Sequence, residues 1–153
     1  MKHSLVCELE LQVPRDEVFA FFSSPFNLHR ITPDDVHFRI LTPAPVELRA
    51  GTRINYQINV FGIPFRWRTV FTVWEPPVRF VDVQESGPYR LWVHSHSFAE
   101  RNGKTVVRDD VEYELPLQPL GEIAHGIVRR KLDRIFAFRQ QQIRRILSPP
   151  GSC

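Results

Sequence analysis

The chain has 153 residues, 42% of them hydrophobic and 24% charged, a size and balance that suit one globular domain burying roughly two-thirds of its unfolded surface. A net charge of +3, from 20 Lys and Arg against 17 Asp and Glu, is too small an excess to mark a nucleic-acid binder. Two cysteines, Cys7 and Cys153, exclude a disulfide framework, and no window approaches the roughly 18 apolar residues of a membrane span.

In chain order, residues 3–13 alternate Leu5, Cys7, Leu9, Leu11 and Val13 with Val6, Glu8, Glu10 and Gln12, as a half-buried strand does. Pro14 ends it. A short helix beginning at Arg15 or Asp16 carries Val18, Phe19, Phe21 and Phe22, and Ser23-Ser24-Pro25 breaks it. A second short helix through Phe26–Ile31 stops before Pro33. Val36–Leu41 reads as a short strand. Ile54, Tyr56, Ile58 and Val60 mark a third strand, Phe61-Gly62-Ile63-Pro64 a turn, and Phe65, Trp67, Thr69, Phe71 and Val73 a fourth strand. Phe80–Gln84 is a fifth, Trp92–Phe98 a sixth and Asp109–Leu115 a seventh. Arg101-Asn102-Gly103-Lys104 supplies a hairpin between the last two.

The period then changes. Ile123, Ile127, Val128, Leu132, Ile135, Phe136, Ile143, Ile146 and Leu147 recur at three- and four-residue steps, which predicts one helix of roughly 25 residues within 121–147 with a single apolar stripe. Ser148-Pro149-Pro150-Gly151 ends it, and residues 148–153 are expected to be a disordered tail. The basic cluster Arg129-Arg130-Lys131 with Arg134, Arg139, Arg144 and Arg145 follows this helix and reads as a solvated face. The order is β-α-α-β6-α, an α+β fold. Six meandering antiparallel strands must curl, and their apolar face needs a cover. A curved seven-stranded sheet around one long C-terminal helix follows, with a cavity wherever side chains fail to fill the gap.

Strand parity locates the chemistry. Trp92, His94, His96 and Phe98 share one face of the sixth strand, and Asp109, Val111, Tyr113 and Leu115 share one face of the seventh. Two imidazoles and a carboxylate then stand on an apolar wall, provided the Phe80 and Trp92 face is the inward one. Three readings are open. His94, His96 and Asp109 have the donor types of a zinc site. They also suit a satisfied polar network that takes in Gln84, or a set of groups that orients a ligand. A His–Asp pair can serve as a general base as well, so His94, His96 and Asp109 are the candidate catalytic residues. A Ser-His-Asp hydrolase fails on parity, because Ser95 and Ser97 face the other way. Tyr56, Trp67, Phe71, Asp82, Trp92 and Tyr113 join the three as candidate ligand contacts. Arg139, at helical steps from Leu132, Phe136 and Ile143, either pairs with a carboxylate, binds an acidic head group or lays its stem on the core.

With Val13-Pro14, Val18–Phe22, Asn27-Leu28, Ile31-Thr32-Pro33, Phe80–Gln84, Gly87-Pro88-Tyr89, Trp92–Phe98, Asp109–Pro116 and Phe136–Arg139 in place, the chain resembles the START-like, or SRPBCC, superfamily of helix-grip domains. It is most similar to the bacterial branch labelled ligand-binding or polyketide cyclase/dehydrase-like. The resemblance covers residues 3–147 and implies a single START-like ligand-binding domain over 1–147, with a hydrophobic cavity for lipids, polyketides or other apolar molecules. It does not imply an activity, because a shared fold does not set function. The expectation is a small-molecule binding module in a reducing cytoplasm: a small hydrophobic ligand as partner, no nucleic acid, no integral membrane association, no cofactor and no bound metal, as monomer or homodimer. The alternatives are an enzyme of the cyclase or dehydratase type and a protein-interaction module that uses an outer face of Val81, Val83, Leu91 and Val93.

Overall fold

The computed structural model describes residues 1–147. The expected disordered tail therefore lies outside the described residues. Seven antiparallel strands form one sheet: β1 (Lys2–Leu11), β2 (Arg39–Ile40), β3 (Arg53–Val60), β4 (Ile63–Glu75), β5 (Arg79–Ser86), β6 (Leu91–Arg101) and β7 (Lys104–Glu114), in the order β1-β7-β6-β5-β4-β3-β2. The order is a plain meander except that β1 closes onto β7. Between β1 and β2 lie α1 (Arg15–Phe22) and two 3-10 turns, Pro25–Ile31 and Asp34–Val36. A 3-10 turn at Leu120–Ala124 leads into the long helix α2 (His125–Ile146). Among the described residues no helix is long and apolar enough to cross a membrane.

Local sequence accounts for the turns. Phe61-Gly62 and Asn102-Gly103 both have positive φ at each residue (51° and 79°, 53° and 76°), the two-residue hairpin geometry that suits right-twisted strands. Each Gly takes the second left-handed position without steric cost. Register shifts in β4 against β5, at Arg68/Thr69 and Phe71/Val73, bend the strand pair so that the sheet curls. In α1, Asp16 and Glu17 in the first turn complement the helix dipole, while Val18, Phe19, Phe21 and Phe22 are buried.

Three expectations need correction. The second short helix is a 3-10 turn, and the strand expected over Val36–Leu41 shrinks to Arg39–Ile40. Asp34–Val36 coils first, and His37 closes that turn in the left-handed region at φ 50°, so extended pairing starts late. The apolar stripe of the long helix does not include Ile123 and Ile127, which are 83% and 58% exposed. Ile123 lies in a 3-10 turn, whose period differs from that of an α-helix. Ile127 precedes Leu132 by five residues, about 140° around the helix from it. The buried stripe of α2 is Leu132, Phe136, Arg139 and Ile143.

The core lies between the concave sheet face and α2. One apolar cluster joins α1 to the sheet through Phe19, Phe22, Phe80, Phe98 and Ile143. Another gathers Trp67, Trp92, Tyr113, Leu132 and Phe136. Phe80 and Trp92 are both buried, so the expected sidedness of β5 and β6 holds. On the outer face Val81 is also buried, and Val83, Leu91 and Val93 are half-buried.

Candidate functional site

Between the sheet and α2 lies a cavity of about 560 Å³. Its walls come from every layer of the fold: Phe21 and Phe22 of α1, Leu28 and Ile31 of the first 3-10 turn, Ile54, Tyr56 and Ile58 of β3, Trp67 and Phe71 of β4, Trp92 of β6, and Val128, Leu132 and Phe136 of α2. That volume lies within the roughly 300–1,000 Å³ usual for small-molecule sites. At the outer end, Lys131 Nζ sits 4.6 Å from the ring centre of Phe61, linking the β3–β4 turn to the helix.

The polar end is built by cross-strand register. His96 stands opposite Asp109 across the β6–β7 pair and His94 stands opposite Asp82 across the β5–β6 pair. The close hydrogen bonds run along the diagonals. His94 Nε2 donates to Asp109 Oδ1 at 2.8 Å, and His96 Nε2 donates to Asp82 Oδ2 at 2.6 Å. His96 Nδ1 lies 3.3 Å from Asp109 Oδ1, and Arg139 Nη2 reaches the same oxygen at 3.5 Å. The imidazoles stack on each other with centroids 3.6 Å apart, and His96 stacks on Phe80 at 4.1 Å. Arg139 lies between the rings of Phe22 and Phe136, 5.4 and 5.9 Å from their centres. Its Nε is buried without a hydrogen-bond partner.

Charge follows from these contacts. Burial opposes ionisation of Asp109, yet the Arg139 charge and the hydrogen bonds from His94 and His96 hold its carboxyl well below the usual carboxylate range. Burial also works against Asp82, and the hydrogen bond and charge of His96 outweigh it, so that carboxyl is held low too. Burial disfavours a charged His96 ring, but hydrogen bonds to Asp109 and Asp82 raise its pKa. His94 goes the other way: burial and the neighbouring His96 push its pKa down. Both nitrogens of His96 face carboxylate oxygens, so a proton on that ring balances the two carboxylates and one guanidinium of the cluster, beside a His94 whose lowered pKa keeps it neutral near pH 7. Because neutral His94 donates from Nε2 to Asp109, its Nδ1 carries the lone pair. His94 lines the cavity, and this Nδ1 has no hydrogen-bond partner among the described residues.

Opposite shifts in two neighbouring histidines give a testable pH profile. The raised pKa of His96 contributes stability that is present below the ordinary imidazole value of about 6.5 and is lost as pH rises through its folded pKa. The lowered pKa of His94 works in reverse, since below about 6.5 the unfolded chain binds a proton the folded ring refuses. Unfolding free energy from urea titrations is therefore expected to peak near pH 6.5 and to decline on both sides. In His96→Gln the decline on the alkaline side should flatten.

Of the residues expected at the site, Tyr56, Trp67, Phe71, Asp82, Trp92, His94, His96 and Arg139 line the cavity. Asp109 and Tyr113 stand behind the wall instead. Asp109 is buried beneath the two imidazoles, and the Tyr113 hydroxyl meets His125 Nε2 at 3.0 Å. Gln84, weighed as part of the network, clamps the β5–β6 turn by donating to Tyr89 O at 2.7 Å and accepting from Tyr89 N. Asp82 is the second carboxylate of the cluster, in a role that sequence reading gave to Asp109 alone. Leu28, Val36, Phe38 and Leu48 also line the cavity. Sequence reading put Leu28 in a short helix and Val36 and Phe38 in a short strand without aiming them at the cavity, and Leu48 lies in a segment assigned to no element.

No family model matches the chain, and no curated protein matches it. Solved structures do. The protein TTHA0849 from Thermus thermophilus superposes with a TM-score of 0.73 at 14% identity, over 95% of this chain and 100% of that one. A START superfamily protein from Mycobacterium smegmatis gives 0.68 at 11% identity, over 94% and 99%. Major latex-like protein 151 from Panax ginseng gives 0.68 at 12% identity, over 97% and 99%. The curved seven-stranded sheet closed by one long C-terminal helix is thus the START-like helix-grip fold.

Proposed function

We propose that the chain binds a neutral amphipathic small molecule, with an apolar body among the aromatic and aliphatic walls and a hydroxyl at the His94 end of the cavity. The observation that carries this reading is a largely apolar space of about 560 Å³ with the Asp82, His94, His96 and Arg139 cluster at one end. The same cluster sets the class of head group. At that end an acidic head group adds a third buried anion beside Asp82 and Asp109, because Arg139 is already engaged with Asp109 at 3.5 Å and Lys131, the other cation on the wall, lies at the outer end. A hydroxyl donates to the unpartnered His94 Nδ1 at the cavity wall. Apolar burial supplies affinity, and the polar end supplies orientation.

A second reading, an acid/base enzyme of the cyclase or dehydratase type, has one specific observation in its favour. Asp109 fixes the tautomer of His94 and leaves Nδ1 free to take a proton. A mechanism that needs both imidazoles is disfavoured, since both nitrogens of His96 face protein groups.

The test is competition for a fluorescent apolar probe by matched pairs, 1-decanol against decanoate and 2-naphthol against 2-naphthoate, at pH 7. The alcohols are expected to bind about tenfold or more tightly than the acids. Equal or tighter binding of the acids would overturn the assignment of the head group. Failure of every compound to displace the probe would overturn the binding reading.

A further inference from the structure

A second group of donors lies outside the cavity. His3 is in β1, opposite Tyr113 of β7; Glu122 is in the 3-10 turn Leu120–Ala124; His125 is the first residue of α2. Pairing of β1 with β7 brings the first element against the other two. Each of the three residues offers one ligand atom, and these atoms lie within 4.8 Å of one another. His3 Nε2 is 2.8 Å from Glu122 Oε2, and the two imidazoles stack with centroids 3.6 Å apart and planes 14° from parallel.

A ring nitrogen binds an ion in the plane of its ring, so one of the two stacked imidazoles turns out of the stack when both take a shared ion. Outer hydrogen bonds flank the set. Gln118 Nε2 donates to Glu122 Oε1 at 2.8 Å, which orients that carboxylate, and the Tyr113 hydroxyl meets His125 Nε2 at 3.0 Å. Supporting contacts of this kind orient the ligands of metal sites and tune their basicity. The side chains of His3 and Glu122 are 13% and 24% exposed, so an ion has access while water is partly excluded. Arg129 opposes a cation nearby, but Asp133 accepts from its Nε at 3.0 Å.

We propose that His3, Glu122 and His125 form a binding site for a divalent transition metal ion of the zinc class. Two imidazoles and one carboxylate are a donor set zinc takes with three protein ligands, water completing the shell. The site has a structural consequence for the cavity. Leu120, Gly121 and Ala124, from the same short segment as Glu122, contribute to the cavity wall, so an ion would strap that wall to β1. The inference does not rest on the ligand reading, because none of the three donors lines the cavity.

The experiment is calorimetric titration of the full chain with zinc chloride at pH 7.5, alongside cobalt chloride followed by visible absorption. The expected result is one equivalent of zinc bound with a Kd below about 10 μM, a cobalt d–d band, and a Tm that rises with zinc. His3→Ala, His125→Ala and Glu122→Gln should each weaken binding by about 10–100-fold, with circular dichroism unchanged. Glu122→Gln keeps the shape of the hydrogen-bond cluster and removes its charge, which separates ligation from mere packing. His29→Ala and His37→Ala should leave zinc affinity as it was. Absence of zinc uptake by the unmodified chain would overturn the proposal, as would full-affinity binding in the His3→Ala/His125→Ala double variant.

Discussion

Alanine at Asp109 is expected to lower the unfolding free energy by about 3–5 kcal/mol at pH 7, measured by urea denaturation. The carboxylate is 3% exposed and serves His94, His96 and Arg139 together. Removing it leaves the Arg139 guanidinium buried against His96 without its carboxylate partner, with Asp82 as the remaining anion. An uncompensated buried charge costs far more than the lost hydrogen bonds do. The double variant Asp109→Leu with Arg139→Met removes anion and cation together, and its loss should be clearly smaller than the sum of the single losses. A cost for Asp109→Ala below about 1 kcal/mol would mean that the cluster is solvated, contrary to its burial.

Tryptophan at Val128 is expected to weaken binding of an apolar probe by about 100-fold while leaving Tm unchanged or slightly higher. Val128 lines the cavity one turn before Leu132 on the inner side of α2 and is half-buried, so an indole there projects into existing space. The added ring occupies volume that a ligand body needs, and filling an apolar void does not by itself destabilise a fold. Unchanged affinity with an unchanged fold would place the ligand elsewhere. Probe fluorescence and thermal unfolding of the same sample distinguish the outcomes.

Much of this architecture is legible in the chain because strand parity and helical period are strong signals. Trp92, His94, His96 and Phe98 share the inner face as their alternation requires, and pairing of Trp92 with Tyr113 and His96 with Asp109 follows from the Asn102-Gly103 hairpin. What escapes sequence reading depends on reach rather than parity. Asp82 and Asp109 each have the right face, but that the close bonds cross diagonally to His96 and His94 depends on side-chain geometry. Arg139 stays open among three roles in the sequence because position on a helical stripe does not say where a long side chain ends. The His3, Glu122 and His125 cluster is invisible there for another reason: His3 is more than a hundred residues from its two partners, and only the β1–β7 register brings them together.

Nitrogen-15 NMR of the His94 imidazole, recorded while 2-naphthol is added, reads the proposed contact at the atom concerned. An unprotonated Nδ1 in the free protein that shifts upfield in step with saturation is the expected result. A His94 ring protonated at Nδ1 before addition, or unmoved when naphthol is bound, would contradict it.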